Sequence, residues 1–145
     1  MKLIFTLAVV AMFAISSAFA ADKPDEGTPL ERYQGDAGRA LFMCKLTLHL
    51  ATAKAEAGRP QDEDSDYSGC IRRGLITAKG NLDRALRTIK KAKGQEALKS
   101  YHVAFVSALE GIRPGDSERK ISYEQRQQAL EGKLTEAWAR FEVER

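Results

Sequence analysis

Apolar residues fall into four stretches where they recur at alternating steps of three and four, preceded by a denser apolar run at the N-terminus. Alternation of three and four lays side chains along one line of an α-helix, so each of the four stretches predicts an amphipathic helix. The first opens at Thr28-Pro29-Leu30-Glu31, a capping box with proline at the first helical position. Its stripe is Tyr33, Ala37, Leu41, Cys44, Leu48, Ala51 and Ala55, and Gly58-Arg59-Pro60 stops it. Gly35 and Gly38 each cost about 1 kcal/mol relative to alanine, which predicts fraying or bending of the first two turns.

The second stripe, Ile71, Leu75, Ala78, Leu82, Ala85, Ile89 and Ala92, follows a cap at Asp66 or Ser68. Its register passes through Gly80-Asn81 undisturbed, which predicts one helix to about Lys93, ended by Gly94. The third carries Leu98, Tyr101, Phe105, Ala108 and Ile112, closed by Gly111 and Pro114-Gly115. Ser122-x-x-Gln125 is a second capping box, followed by Tyr123, Leu130, Leu134, Ala137, Trp138 and Phe141. No run of alternating β-branched residues between turn signals predicts a strand. The expectation is an all-α four-helix bundle, up-down-up-down because most links are short.

The apolar run at the start has a different form. Lys2, the stretch Leu3 to Ile15, and Ser16-Ser17-Ala18-Phe19-Ala20 read as the basic, apolar and small-residue regions of a signal peptide. Residues 1–20 are therefore expected to be removed, leaving residues 21–145 as a single helical domain in the periplasm or secreted. The rival reading, an uncleaved anchor, fits less well with the two serines and the polar Ala21-Asp22-Lys23-Pro24 that follow. No further membrane span is expected. A domain of this size buries about two-thirds of the surface its unfolded chain exposes, enough for an independent core.

Export changes the reading of the two cysteines, Cys44 and Cys70: an even pair outside the cytoplasm most simply forms a disulfide. In a plain hairpin, however, Cys44 lies roughly 20 Å before the end of the first helix and Cys70 only a turn into the second. Joining them requires either that Arg59 to Tyr67 fold back along the first helix or that the second helix cross it steeply.

Twenty-three basic and 20 acidic side chains leave a net charge of +3, too small an excess for a dedicated nucleic-acid binder. The distribution is uneven. Asp62-Glu63-Asp64-Ser65-Asp66 is acidic, whereas Arg72 to Lys93 carries eight basic residues against Asp83. Arg73, Arg84, Arg87 and Lys91 form a stripe on one side of the second helix, with Arg72, Lys79, Lys90 and Lys93 on an adjoining line, both away from the apolar seam. Lys90, Lys91 and Lys93 would also complement the negative end of that helix's dipole, so local stabilisation accounts for part of the pattern. The remainder points to an acidic protein or an anionic envelope component, for which arginine offers forked contacts.

Candidate chemistry is sparse. Cys44, His49, Cys70 and His102 fit no compact zinc spacing, and a disulfide would consume the thiolates, so no metal is expected. A noncovalent haem held by Met43 with His102 or His49 is the alternative a helical bundle offers. Neither G-x-S-x-G nor H-E-x-x-H occurs, and no catalytic residue is assigned. Ile121-Ser122-Tyr123-Glu124-Gln125-Arg126-Gln127-Gln128 resembles the L-T-x-x-Q repeats of small helical periplasmic stress chaperones, in one copy, with isoleucine and serine for leucine and threonine. A serine-capped helix rich in glutamine produces the same string. The expected function is binding of another macromolecule, as an inhibitor, immunity-type or chaperone-like module, through the basic face and through Tyr101, His102 or Trp138 where exposed.

Overall fold

The computed structural model describes residues 27–62 and 65–145. The signal sequence and the expected cut before Ala21 lie outside the described residues. Four helices occupy most of the rest: α1 (Pro29–Glu56), α2 (Tyr67–Thr88), α3 (Ala92–Glu110) and α4 (Lys120–Glu144). No strand occurs among the described residues.

The capping box starts α1 as its sequence demands. The Glu31 N–H donates to the Thr28 hydroxyl at 3.3 Å, and the Thr28 N–H donates to the Glu31 carboxylate at 2.7 Å. Contrary to expectation α1 runs unbroken through Gly35 and Gly38, where an added Cβ would meet nothing within 4 Å. Packing of the rest of the helix holds these turns against their poor propensity. Gly58, with φ +64°, turns the chain out of α1, a backbone conformation that suits glycine. Of the two caps foreseen for α2, Asp66 is the one used, accepting from the Gly69 N–H at 2.8 Å.

Two boundaries differ from the sequence reading. α2 ends at Thr88, Ile89 is extended, and Gly94 lies in the first turn of α3 instead of ending α2. The Gln95 amide donates to the Ile89 carbonyl at 2.9 Å, supplying at the joint a donor that a continuous helix would have provided. Gly94 is needed for proximity: a Cβ there would stand 3.1 Å from the Arg145 Cα and 3.2 Å from the Glu144 carbonyl. α4, in turn, starts at Lys120 without a side-chain cap, so the Ser122 box does not form. Glu118 organises that corner, taking the Gly115 N–H at 3.0 Å and two Arg126 donors at 2.8 and 2.6 Å.

The order is up-down-up-down. α1 and α2 run antiparallel, with Cys44 opposite Cys70, Ala40 opposite Gly74 and Asp36 hydrogen-bonded to Asn81 at 2.6 Å. α3 and α4 likewise pair from Gly94 beside Arg145 to Gly111, whose carbonyl accepts from Arg126 at 2.6 Å. Tyr33 of α1 meets Tyr101 and His102 of α3, Leu109 of α3 rests on Gly74, and Lys45 of α1 pairs with Glu131 of α4. Tyr33, Cys44, Leu98, Phe105, Leu109, Ile112 and Phe141 are wholly buried. Each such large apolar side chain contributes roughly 1.5–3 kcal/mol by leaving water.

The disulfide Cys44–Cys70 forms, with the two Cα atoms 5.5 Å apart. Of the two geometries that could allow it, the structure uses the folded-back linker. Gln61 donates to the Ala51 carbonyl at 3.0 Å, and Asp62 pairs with Lys54 at 2.5 Å, so the chain retraces the last turns of α1 before α2 begins. α2 therefore covers the N-terminal half of α1. The C-terminal half lies beside the start of α4, with His49, Thr52 and Tyr123 lining one groove.

Candidate interaction surface

Arg73, Arg84 and Arg87 are exposed on the outward side of α2, as their spacing requires once Ile71, Ala78 and Ala85 face inward. Among the described residues none of the three forms an ion pair. Ile76 stands between them on the same side and is 67% exposed. Lys91 does not belong to this stripe. It precedes α3, in the joint after α2, and its ammonium donates to the Arg145 carbonyl at 3.0 Å. Lys93 sits in the first turn of α3, the positive end of a helix, where a cation is disfavoured. Dipole complementarity thus accounts for Arg87 in the last turn of α2 but not for Lys93.

A shallow groove of about 290 Å³ between α1 and α2 joins Arg73 to Arg39, Asp36 and Met43. Across it the outward side of α1 carries Phe42, Met43, Leu46 and Leu50, which are 67%, 45%, 43% and 42% exposed. Sequence reading missed this second apolar line because it followed a single stripe per helix. The signal was present in the steps of four from Phe42 to Leu46 to Leu50, offset from the core positions Cys44 and Leu48. A larger groove, about 720 Å³, runs between α2 and α3 over Ile71, Leu75 and Ile76, with Arg72, Glu110 and Arg113 at its rim.

Tyr101 is buried, so it is no surface anchor, and Trp138 is half-buried beside it with ring centroids 5.0 Å apart. His102 is half-buried and shares a 2.9 Å hydrogen bond between its Nδ1 and the wholly buried Tyr33 hydroxyl. Burial pushes the Tyr33 and Tyr101 phenols above their ordinary range and His102 below its own, which favours the neutral form of all three. The Tyr33 hydroxyl and the His102 ring nitrogen satisfy one another across α1 and α3.

The residues weighed for haem are dispersed. Met43 lines the α1/α2 groove, His49 the α1/α4 groove, and His102 is bound to Tyr33. Among the described residues no three histidine, cysteine, aspartate or glutamate side chains gather into a metal-binding group, and no buried side-chain polar atom lacks a hydrogen-bond partner. No helix of the described residues is long and apolar enough to cross a membrane. No protein-family model, curated protein or solved structure matches the chain.

Proposed function

We propose that the protein is an exported helical module that acts by binding an acidic protein on the outward side of α2. The observation that carries this reading is the set Arg73, Arg84 and Arg87, exposed around Ile76 and free of ion pairs among the described residues. Charge at the rim of an interface steers encounter and selects partners, and an exposed apolar centre supplies the desolvated contact that a purely ionic patch lacks. Occlusion of the partner's surface or holding of the partner is the mechanism available to such a face. The disulfide fits an oxidising compartment, and the signal-type N-terminus directs the chain to the periplasm or beyond the cell.

The test is capture from the envelope fraction with wild type and with Arg73→Glu/Arg84→Glu/Arg87→Glu. An acidic protein that elutes with salt from the wild type and binds the triple variant at least about tenfold more weakly is the expected result. Equal binding by the two proteins, or capture of no salt-sensitive acidic chain, would refute it.

A further inference from the structure

Tyr33 is the point at which the first turns of α1 are held to α3. Its ring is wholly buried and meets Tyr101 edge-on at 6.1 Å, and its hydroxyl has one partner among the described residues, the Nδ1 of His102 at 2.9 Å. A buried donor left without an acceptor carries its full desolvation penalty, so the Tyr33 O–H has to donate. That requirement sets the direction of the bond. The hydroxyl donates to Nδ1, which is then the bare nitrogen of a neutral ring whose proton sits on Nε2. A proton on Nδ1 would reverse this arrangement. Imidazolium donates from both nitrogens and accepts at neither, so the Tyr33 oxygen would accept from the ring and its own proton would be left without an acceptor.

The turns that Tyr33 anchors also have the poorest helix propensity in α1, because Gly35 and Gly38 follow within five positions. Ahead of Cys44 these turns are fastened besides by buried Ala37, by half-buried Leu30, Ala40 and Leu41, and by the Asp36–Asn81 bond. From Cys44 onward the disulfide fixes the helix to α2. We propose that the Tyr33–His102 bond is an acid-operated latch: a proton taken up at Nδ1 deprives the Tyr33 hydroxyl of its acceptor and frees the turns of α1 before Cys44 from α3.

The surroundings of His102 favour such a response. Against its ring stand Tyr33 from α1 and Phe105 on α3, next to Tyr101, and α4 faces this cluster with Trp138 and Phe141, which carry no charge. One turn back on α3 Lys99 pairs with Glu96 at 2.7 Å, and one turn on from Tyr33 Asp36 is held by Asn81 of α2. Among the described residues no carboxylate is bonded to His102, so burial acts unopposed and holds its pKa below the ordinary 6.5. The unfolded chain therefore takes up this proton first. The latch contributes fully above about pH 6.5, and its contribution is lost as pH falls from there through the folded value.

The experiment is native-state hydrogen exchange of the purified protein at about pH 7.5 and about pH 5, read as protection factors so that the chemical rate divides out, together with an NMR titration of the histidines. In the wild type the protection of the Tyr33 to Ala37 amides is expected to fall at least about fivefold on acidification and to lie, at the lower pH, beneath that of Ala78 to Ala85 in α2. His102→Asn, which offers an uncharged acceptor near the Nδ1 position at similar helix propensity, abolishes that fall. Tyr33→Phe keeps the buried ring but removes the bond that favours neutral imidazole, so His102 titrates at higher pH than in the wild type. None of these measurements involves the acidic partner of α2, so the latch stands or fails apart from it. Protection that does not change with pH, equal protection of the two segments, a fall that persists in His102→Asn, or a His102 titration unmoved or lowered by Tyr33→Phe would each overturn the proposal.

Discussion

Glu118 shows how one side chain can decide a corner. Its carboxylate accepts from Arg126 and from the Gly115 N–H, and these bonds, the Arg126 pair first, hold its pKa down to about 2 from the ordinary 4.5. Depression in the folded state means that the bonds stabilise the fold fully above about pH 4.5 and that this contribution is lost as pH falls through about 2. Glu118→Gln is therefore expected to melt below wild type at pH 7, with the difference closing between pH 4.5 and 2 in parallel thermal melts. A gap that stays constant across that window would show that charge is not what holds the corner. None of this was legible in the sequence, where Ser122 carried the stronger local signal for a helix start. The capping preference of a serine is worth only about 1 kcal/mol, and a carboxylate with three donors from two segments outweighs it. His102 was opaque for the same reason. Its partner, Tyr33, lies 69 positions away and on a different helix.

At the scale of elements, the ends of α1 and the start of α2 could be read in advance because their determinants, Thr28 with Glu31, Gly58, and Asp66, act within four residues of themselves. The break between α2 and α3 could not. The stripe stays in phase through Ile89 and Ala92, and the neighbours of the joint, Arg145 as acceptor from Lys91 and Glu144 beside Gly94, come from the far end of the chain. The cysteine pair lies between these cases: composition and the expectation of export implied the bond, and helix geometry then limited the linker to two paths. The disulfide closes a separation of 26 residues, which the chain-entropy model values at roughly 3–4 kcal/mol. Cys44→Ala/Cys70→Ala is expected to lose about that much in urea denaturation, with the helical circular dichroism of the folded state retained. A loss below about 1 kcal/mol would mean that residual structure in the unfolded chain already holds the two segments near one another without the bond.

For the molecule as a whole, the helices are unequally secured. α1, α2 and α3 each bury several residues, and a covalent bond joins the first two, whereas α4 wholly buries Phe141 and otherwise offers half-buried Tyr123, Leu134, Ala137 and Trp138. Native-state hydrogen exchange is expected to open α4, from Tyr123 onward, at lower free energy than the α1–α2 pair. Equal protection of both would show that the Arg126, Gln127 and Tyr123 bonds to Gly111 and Ile112 bind α4 as firmly as the core binds the rest. The basic side of α2 was legible in outline because solvent-facing charges follow the same period as the core. The second apolar line of α1 was not, since a helix with two greasy sides looks in one dimension like a helix with one broad side. The register of α1 also constrains what the chain can become. A residue inserted between Tyr33 and Cys44 would rotate everything after it by about 100°, so the helix could keep its appointment with His102 or with Cys70 but not with both. The same insertion just after Gly58 would be absorbed as slack, leaving length free to vary at that bend and forbidden one helix-turn either side of Ala40.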